Sequence, residues 1–176
     1  MGKTTRETSV AYIVRPMTVG DIDAVCVIEE ASFSMPWSRE SFEREINENA
    51  LAHYFVAETD GKVVGYAGMW MIWDSANVTN VAVLDEYRGY GIGTALVKTM
   101  ADIVRESGAQ TLMLEVRRSN ERAQSVYRNL GFTVCGVRKG YYEDNREDAI
   151  LMYTVKNIKC EHFTFKSMSF IPKKRF

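Results

Sequence analysis

The fold that we expect for this chain follows from residues 80–96, which read Asn-Val-Ala-Val-Leu-Asp-Glu-Tyr-Arg-Gly-Tyr-Gly-Ile-Gly-Thr-Ala-Leu. An apolar run ends at Val83 and Leu84, an acidic turn follows, and three glycines then alternate with larger residues. Beyond Gly93, apolar residues recur at the three- and four-residue spacing of a helix. The stretch therefore predicts a strand, a glycine loop and a helix, in that order.

Such a loop is suited to binding phosphate. The N-terminus of a helix presents unpaired N–H groups and the positive end of a dipole, and glycines let a ligand approach the backbone closely. A Walker-type loop would need Lys followed by Ser or Thr after the last glycine, but Thr94 and Ala95 stand there. A dinucleotide fingerprint would need a glycine at Thr94. A glycine turn that only starts the helix stays open at this point.

Length and composition indicate one globular domain. The chain has 176 residues, 46% hydrophobic and 26% charged, with a net charge of −1. We expect no direct binding of nucleic acid or membrane, because the charge is near neutral and no apolar stretch approaches a bilayer span. The three cysteines lack metal-like spacing, which predicts a cytoplasmic, reducing setting and no metal site. We expect a monomer or weak dimer.

The chain before the glycine loop predicts two helices and then a set of antiparallel strands. A strand over 11–15 leads to a helix over 19–32, and a second helix follows from Ser38 to about residue 48. Asp60-Gly61 is a strong signal for a two-residue hairpin. The three strands that we predict around and after it run over 54–58, 62–70 and 76–83.

The chain after the loop predicts a central strand over 111–116, a helix begun by Asn120, and two closing strands over 132–137 and 149–155. We therefore expect a mixed α/β fold, with one central, mostly antiparallel sheet of six to seven strands flanked by four helices. The domain is assigned to residues 1–156. Residues 157–176 carry five Lys or Arg and one Glu, and we expect a flexible or added basic tail, with binding to RNA or a ribosome surface as the alternative.

Glu115 interrupts the apolar run Leu112-Met113-Leu114-x-Val116. A carboxylate is costly to bury unless it is paired, and such groups are frequent among the proton acceptors of active sites. Pairing with Arg117 or Arg118, or an exposed place at the strand end, is the alternative. Tyr127 lies on the apolar face of the next helix, where spacing alone favours a core residue.

Two longer segments resemble a known family. The loop Arg88-Gly89-Tyr90-Gly91-Ile92-Gly93 resembles the Arg/Gln-x-x-Gly-x-Gly/Ala loop of the GNAT acetyltransferases. The segment from Asn120 to Phe132 resembles their Asn-x-x-Ala-x-x-x-Tyr-x-x-x-Gly-Phe pattern. Both segments together imply a coenzyme A site with chemistry beside it.

Three further segments resemble the RimI-type ribosomal-protein-alanine N-acetyltransferases within that family. These segments are Glu-Val-Arg-Arg-Ser-Asn at 115–120, Phe-Ser-Met-Pro-Trp-Ser at 33–38 and the run from Tyr141 to Met152. Met35 is a one-residue variation on the Phe-Pro-Trp-Ser loop of those enzymes, and Asn145 stands where they carry a glycine. The resemblance covers about residues 12–155.

The resemblance implies roles for particular residues. Glu115 would accept a proton from the amine, and Tyr127 would donate one to the departing thiolate. Acetyl-CoA would be the co-substrate, held by Val81, Ala82, Val83, Arg88, Gly89, Tyr90, Gly91, Ile92, Gly93, Thr94 and Asn120. The peptide site would be lined by Trp37, Arg117, Tyr141 and Tyr142, although position alone favours Trp37 as an anchor of the second helix to the core.

The resemblance implies that acetyl passes directly, in a ternary complex, to the N-terminal alanine of a ribosomal protein, the small-subunit protein numbered eighteen. An acetyltransferase for a lysine, polyamine or small-molecule amine is the first alternative. A non-catalytic module that binds coenzyme A is the second alternative. A dinucleotide-dependent oxidoreductase is disfavoured by Thr94 and by the strands that precede the loop.

Overall fold

The computed structural model of the chain describes residues 10–155, which form one seven-stranded sheet and four α-helices. The predicted basic tail, residues 157–176, lies outside the described residues. The strands are β1 Ile13–Pro16, β2 Ala52–Thr59, β3 Lys62–Ile72, β4 Ser75–Val83, β5 Thr111–Arg117, β6 Thr133–Arg138 and β7 Ala149–Val155. The helices are α1 Ile22–Ser32, α2 Arg39–Asn47, α3 Ile92–Glu106 and α4 Glu121–Asn129, with 3-10 turns at Val19–Asp21 and Asp85–Tyr87.

The sheet has the strand order β1-β2-β3-β4-β5-β7-β6. Within residues 10–155, every neighbouring pair of strands is antiparallel except β4 and β5. The parallel pair is connected by α3, as a parallel connection requires a crossover. The mixed, mostly antiparallel sheet predicted from the sequence is confirmed, with seven strands.

The helices cover both faces of the sheet and enclose two hydrophobic clusters. On one face α3 contributes a buried stripe at four-residue spacing, Ile92, Leu96, Met100 and Val104, and α4 contributes Tyr127. On the other face α1 and α2 bury Ile22, Val25, Ile28 and Phe42 against Tyr66 and other sheet residues. The position of a residue on a strand therefore decides which helices it faces.

Local sequence signals place the turns and helix starts. Asp60 and Gly61 both have positive φ, 49° and 75°, as the two-residue turn between β2 and β3 requires. Ser38 caps α2 by accepting a hydrogen bond from the Ser41 N–H at 3.3 Å. Asn120 caps α4, since its Oδ1 accepts from the Ala123 N–H at 3.0 Å. These three sequence predictions are confirmed.

A β-bulge interrupts the pairing of β3 with β4. Gly68 is opposite Asn80 and Met69 is opposite Val78, so Thr79 is an extra residue on β4. A bulge bends its strand and re-aims the side chains that follow it. Gly68 is required beside it, because a Cβ there would lie 2.3 Å from a ring carbon of Tyr54.

Within residues 10–155, no helix combines the length and the apolarity needed to cross a membrane.

Replacing Gly68 by alanine should lower the free energy of unfolding by about 1–3 kcal/mol, because the new methyl overpacks the Tyr54 ring. The measurement is the urea unfolding midpoint. Gly20→Ala is the control, since the nearest atom to its Cβ would be 3.6 Å away and its stability should be unchanged or slightly higher. Equal midpoints for the Gly68 variant and the wild type would contradict the packing argument.

Candidate active site

The parallel pairing of β4 with β5 is short and ends inside the sheet. Only Ser75 with Thr111, Ala76 with Leu112 and Asn77 with Met113 are paired between the two strands. Beyond these pairs the strands separate, and the bulge at Thr79 lies at the start of the separated part of β4. A cavity of about 520 Å³ opens where the strands part.

The cavity is lined by segments that are far apart in the sequence. They are the end of α1 with the loop after it, the separated parts of β4 and β5, the start and middle of α4, and the loop between β6 and β7. Glu115, Tyr127 and Asn120 line it together with Val81, Arg117 and Tyr142. The structure therefore brings together both residues predicted for catalysis and four of the fifteen predicted for binding.

Glu115 and Tyr127 reach this cavity from opposite faces of the sheet. Tyr127 belongs to the cluster beneath α3 and α4, as do Leu114 and Val116 of β5. Because side chains alternate along a strand, Glu115 points to the other face, which α1 and α2 cover. The gap between β4 and β5 thus connects a carboxylate on one face with a phenol on the other.

The Glu115 side chain is only 3% exposed. Its Oε1 pairs with a guanidinium nitrogen of Arg138 at 3.1 Å, which offsets the cost of burying the charge. Its Oε2 is buried and has no hydrogen-bond partner among residues 10–155. Among residues 10–155, Glu115 does not pair with Arg117 or Arg118, the pairing considered from the sequence, and one of its carboxylate oxygens has no protein partner.

Tyr127 is both a core residue and a cavity residue. It is 9% exposed, its ring centroid lies 5.8 Å from that of Phe132, and it lines the cavity. Burial raises the pKa of the Tyr127 hydroxyl to about 12, because the charged phenolate loses its hydration. The phenol is consequently protonated at neutral pH and can donate a proton.

The glycine loop has the geometry of an anion site. Gly89 and Gly91 have φ of 94° and 83°, and Gly91 is the N-cap of α3. The first helical hydrogen bond runs from the Ala95 N–H to the Gly91 carbonyl at 2.9 Å. The N–H groups of residues 92–94 precede that bond and point out of the helix start, where an anion is stabilised.

Two arginines flank the loop. Arg88 donates from Nε to the Val83 carbonyl at 3.0 Å and pairs with Asp85 at 2.6 Å, so it braces the loop against the end of β4. Arg122 on α4 places Nη2 3.7 Å from the position that a Cβ on Gly89 would take. Arg122 was not predicted as a site residue, although it lies in the segment from Asn120 to Phe132, two positions after Asn120.

The separated part of β4 exposes backbone N–H groups toward the cavity side. Leu84 donates its N–H to the Val64 carbonyl of β3 at 2.9 Å. Because N–H groups alternate in direction along a strand, those of Val83 and Val81 point away from β3, and that of Ala82 points toward it. Of the three predicted β4 residues, Val81 and Val83 therefore present their N–H groups to the gap.

The loop between β6 and β7 is held by Arg117. The guanidinium donates to Asp144 at 2.7 Å and to Glu147 at 3.3 Å, and it stacks 3.8 Å from the ring centroid of Tyr142. Glu147 also accepts from the Ser119 N–H at 2.7 Å, and these hydrogen bonds lower the pKa of Glu147 to about 2. Arg117 thus positions the loop that borders the cavity.

The remaining predicted binding residues differ in their relation to the cavity. Tyr142 lines it, whereas Tyr141 packs edge-on against Tyr142 at 5.2 Å and lies 5.6 Å from the Arg138 guanidinium. Trp37 is not among the lining residues and packs 5.6 Å from the Phe42 ring of α2, as its position alone had favoured. Its loop neighbours Phe33, Ser34 and Met35 line the cavity instead.

Glu29 of α1 is a cavity residue that the sequence reasoning did not single out. It is buried, and it accepts hydrogen bonds from the Tyr66 hydroxyl, from Asn80 Nδ2 at 3.3 Å and from the backbone N–H of Trp37 at 3.1 Å. Its sequence signal was a carboxylate at an apolar-face position of the first helix. Arg138 carried no such signal, because its contact with Glu115 crosses β7.

Residues 22–132 match the acetyltransferase (GNAT) family. The chain belongs to the GNAT acetyltransferase family. A Bacillus subtilis (strain 168) protein with the provisional name ribosomal protein bS18-alanine N-acetyltransferase is 45% identical over 144 residues, 82% of this chain and 95% of the relative. The ribosomal protein bS18-alanine N-acetyltransferase of Escherichia coli (strain K12) is 37% identical over 134 residues, 75% of this chain and 89% of the relative.

Solved structures agree with this assignment. The crystal structure of the ribosomal-protein-S18-alanine N-acetyltransferase from Escherichia coli matches with a TM-score of 0.76 and 32% identity, covering 88% of this chain and all of that one. The predicted GNAT fold and the predicted N-acetyltransferase class are confirmed. The family uses acetyl-CoA as its acetyl donor.

Replacing Gly91 by alanine should raise the KM for acetyl-CoA several-fold, because a φ of 83° is strained for alanine and relaxing it moves the N–H groups at the helix start. Initial-rate kinetics with varied acetyl-CoA provide the measurement. Gly108→Ala is matched in φ at the other end of α3 and has no atom near its Cβ position. The Gly108 variant should lose similar stability and keep its KM for acetyl-CoA. Equal KM values in both variants would argue against the glycine loop as the site that binds acetyl-CoA.

Proposed function

We propose that this protein is an N-terminal protein acetyltransferase that moves the acetyl group of acetyl-CoA to the α-amine of an N-terminal alanine of a ribosomal protein. The observation that carries the proposal is the buried Glu115 carboxylate, which lines the cavity together with Tyr127 and has one oxygen without a protein partner. The names of the Bacillus subtilis and Escherichia coli relatives support a ribosomal protein bS18 as the acceptor. The reaction would then take place in the cytoplasm.

Glu115 is the candidate base. An α-amine has a pKa near 8 and is largely protonated at neutral pH, so it must lose a proton before it can attack a thioester. The unpaired Oε2 of Glu115 is the candidate acceptor oxygen for this step, either directly or through one water. The Arg138 contact leaves that oxygen unused and keeps the carboxylate fixed.

The acetyl donor would approach from the α3 and α4 face. The N–H groups at the start of α3 are suited to the pyrophosphate of coenzyme A, with Arg122 as a nearby cation. Asn120 lines the cavity at the start of α4 and is a candidate contact for the pantetheine arm. The N–H groups of Val81 and Val83 are candidates to stabilise the oxyanion, because preorganised backbone donors serve this purpose in acyl transfer.

The transfer requires no covalent enzyme intermediate. The amine nitrogen attacks the thioester carbonyl carbon, an N–C bond forms and the C–S bond breaks. The nitrogen of the ammonium loses two protons in forming the amide. The first passes to Glu115 and on to water, and the second replaces the proton that Tyr127 gives to the thiolate of coenzyme A. Burial raises the pKa of the thiols of Cys26 and Cys135, so neither supplies a ready nucleophile.

The acceptor would enter from the face covered by α1 and α2. The loop at 33–35 and the loop at 142–147 border this side of the cavity, and Ser34 donates a hydrogen bond to Asp144 at 2.6 Å between them. Tyr142 and Arg117 border the same entrance. Tyr141 packs against Tyr142, and Trp37 packs against Phe42 of α2. An extended peptide terminus suits the entrance between two such loops.

The experiment that tests the proposed function is acetyl-CoA turnover against peptides that differ in their first two residues, each with a free or a blocked N-terminus. The expected acceptor is a peptide with a free N-terminal alanine, acetylated at its α-amine as located by mass spectrometry. Acetylation of an internal lysine in the blocked peptides would instead support the lysine alternative. Tight acetyl-CoA binding without any turnover would support a non-catalytic module.

Replacing Glu115 by glutamine should lower kcat by roughly 10²-fold, the lower end for a general base, because the amide cannot take the proton of the amine. Initial rates with saturating acetyl-CoA and the alanine peptide provide the measurement. Glu106→Gln, an exposed carboxylate at the far end of α3, is the control and should leave kcat unchanged. An unaltered kcat in the Glu115 variant would exclude Glu115 as the base.

Replacing Tyr127 by phenylalanine should keep the KM for acetyl-CoA and lower kcat by roughly 10-fold or more, because the thiolate loses its proton donor. Since the Tyr127 pKa is about 12, the phenol stays protonated to well above pH 10, so it causes no loss of rate in the basic range. Tyr54→Phe, another buried tyrosine outside the cavity, is the kinetic control. A fully active Tyr127 variant would leave Tyr127 with a packing role alone.

A further inference from the structure

Residues that line the cavity carry unpartnered polar atoms besides Glu115 Oε2. Within residues 10–155, five buried side-chain polar atoms have no hydrogen-bond partner. Three of them belong to residues that line the cavity, and they are Ser32 Oγ, Asn80 Oδ1 and Glu115 Oε2. Since buried polar atoms are paired in most folded proteins, such a cluster indicates a place where a polar ligand supplies the missing partners.

Asn80 is buried, and a hydrogen bond fixes the orientation of its side chain. It is 6% exposed, and it lies on β4 directly after the bulge residue Thr79. Its Nδ2 donates to Glu29 Oε1 at 3.3 Å. Because a carboxylate only accepts hydrogen bonds, this contact fixes which end of the amide is the donor, and it leaves Oδ1 as an unpartnered acceptor on a residue that lines the cavity.

Asn80 and Glu115 lie on the same face of the sheet, on the two sides of the gap. Asn80 contacts Glu29 of α1, and Ala82, two residues further along β4, belongs to the cluster beneath α1 and α2. Glu115 points to that same face from β5. Asn80 on β4 and Glu115 on β5 lie just beyond the last paired residues of these strands, Asn77 and Met113.

We propose that Asn80 Oδ1 binds the acceptor amine, as a second hydrogen-bond acceptor beside Glu115 Oε2. This inference rests on the proposed function and names a specificity residue of the same site. A primary ammonium carries three N–H groups and therefore suits two acceptor oxygens on one face. After Glu115 takes one proton, an N–H bonded to Asn80 keeps the nitrogen lone pair turned toward the thioester. Asn80 stays neutral at every pH, so it holds the amine without competing for its proton.

Glu29 acts in this arrangement as a positioning residue. Its carboxylate ties Asn80 of β4 to Tyr66 of β3 and to the loop that carries Trp37. The amide of Asn80 would otherwise be able to turn and present N–H groups to the amine, which would repel an N–H donor. The carboxylate thereby selects the orientation in which the oxygen faces the acceptor.

The test is a cycle of binding measurements on the full chain by calorimetry, with coenzyme A present as the non-reactive donor. The two ligands are a peptide with a free N-terminal alanine and the same peptide with a propionyl group in place of that alanine, which lacks the amine. Asn80→Ala should weaken binding of the alanine peptide by about 10-fold or more, the loss expected for one hydrogen bond to a charged group. Binding of the propionyl peptide should change less than about 2-fold, because this peptide has no amine for Asn80 to bind.

Asn77→Ala is the matched control, because Asn77 is the same residue type on the same strand, equally buried and outside the cavity. It should leave binding of both peptides unchanged. Asn80→Ser provides a smaller change in case the alanine variant does not fold, and it should show the same selective loss.

If the wild type acetylates the alanine peptide, two results would overturn the inference about Asn80 and leave the proposed function standing. Equal weakening of both peptides by Asn80→Ala would mean that Asn80 only shapes the cavity, and equal binding by variant and wild type would mean that it does not contact the amine. A wild type that neither binds nor acetylates any N-terminal peptide would overturn the proposed function as well.

Discussion

The parallel junction of β4 and β5 is the constraint on which the site depends. Three residue pairs join the strands, and beyond them the backbone of each strand is left to serve the cavity. A sheet edge opened in this way presents N–H groups in a fixed array, with no cost of rearrangement when a ligand arrives. The bulge at Thr79 and the hydrogen bond from Asn80 to Glu29 hold β4 on its side of the gap.

Both sides of the gap are supported by polar contacts of charged side chains that cross the fold. Glu29 accepts a hydrogen bond that connects α1 to β4, Arg138 connects β6 to Glu115 of β5 as an ion pair, and Arg117 secures the loop between β6 and β7. Each of these contacts is partly or wholly shielded from water, where ion pairs fix geometry more than they add stability. The cavity therefore owes its shape to polar contacts at its rim and to apolar packing of the helices behind it.

Much of this structure followed from local sequence signals. The hairpin at Asp60, the caps at Ser38 and Asn120, and the loop ahead of α3 each depend on residues that are close in the chain. The order that places β7 between β5 and β6 depends on distant pairing, which no local signal carries. Arg138 could not be identified for the same reason, since its contact with Glu115 requires that order.

The placement of Glu115 and Tyr127 on opposite faces of one sheet has a kinetic consequence for the proposed reaction. A donor held beneath α3 and α4 and an acceptor beside α1 and α2, as proposed, would not share an entrance. Neither product would then have to leave before the other, and neither substrate would obstruct the path of its partner. The sheet would separate the two substrates, and only the small acyl group would pass through the gap between β4 and β5.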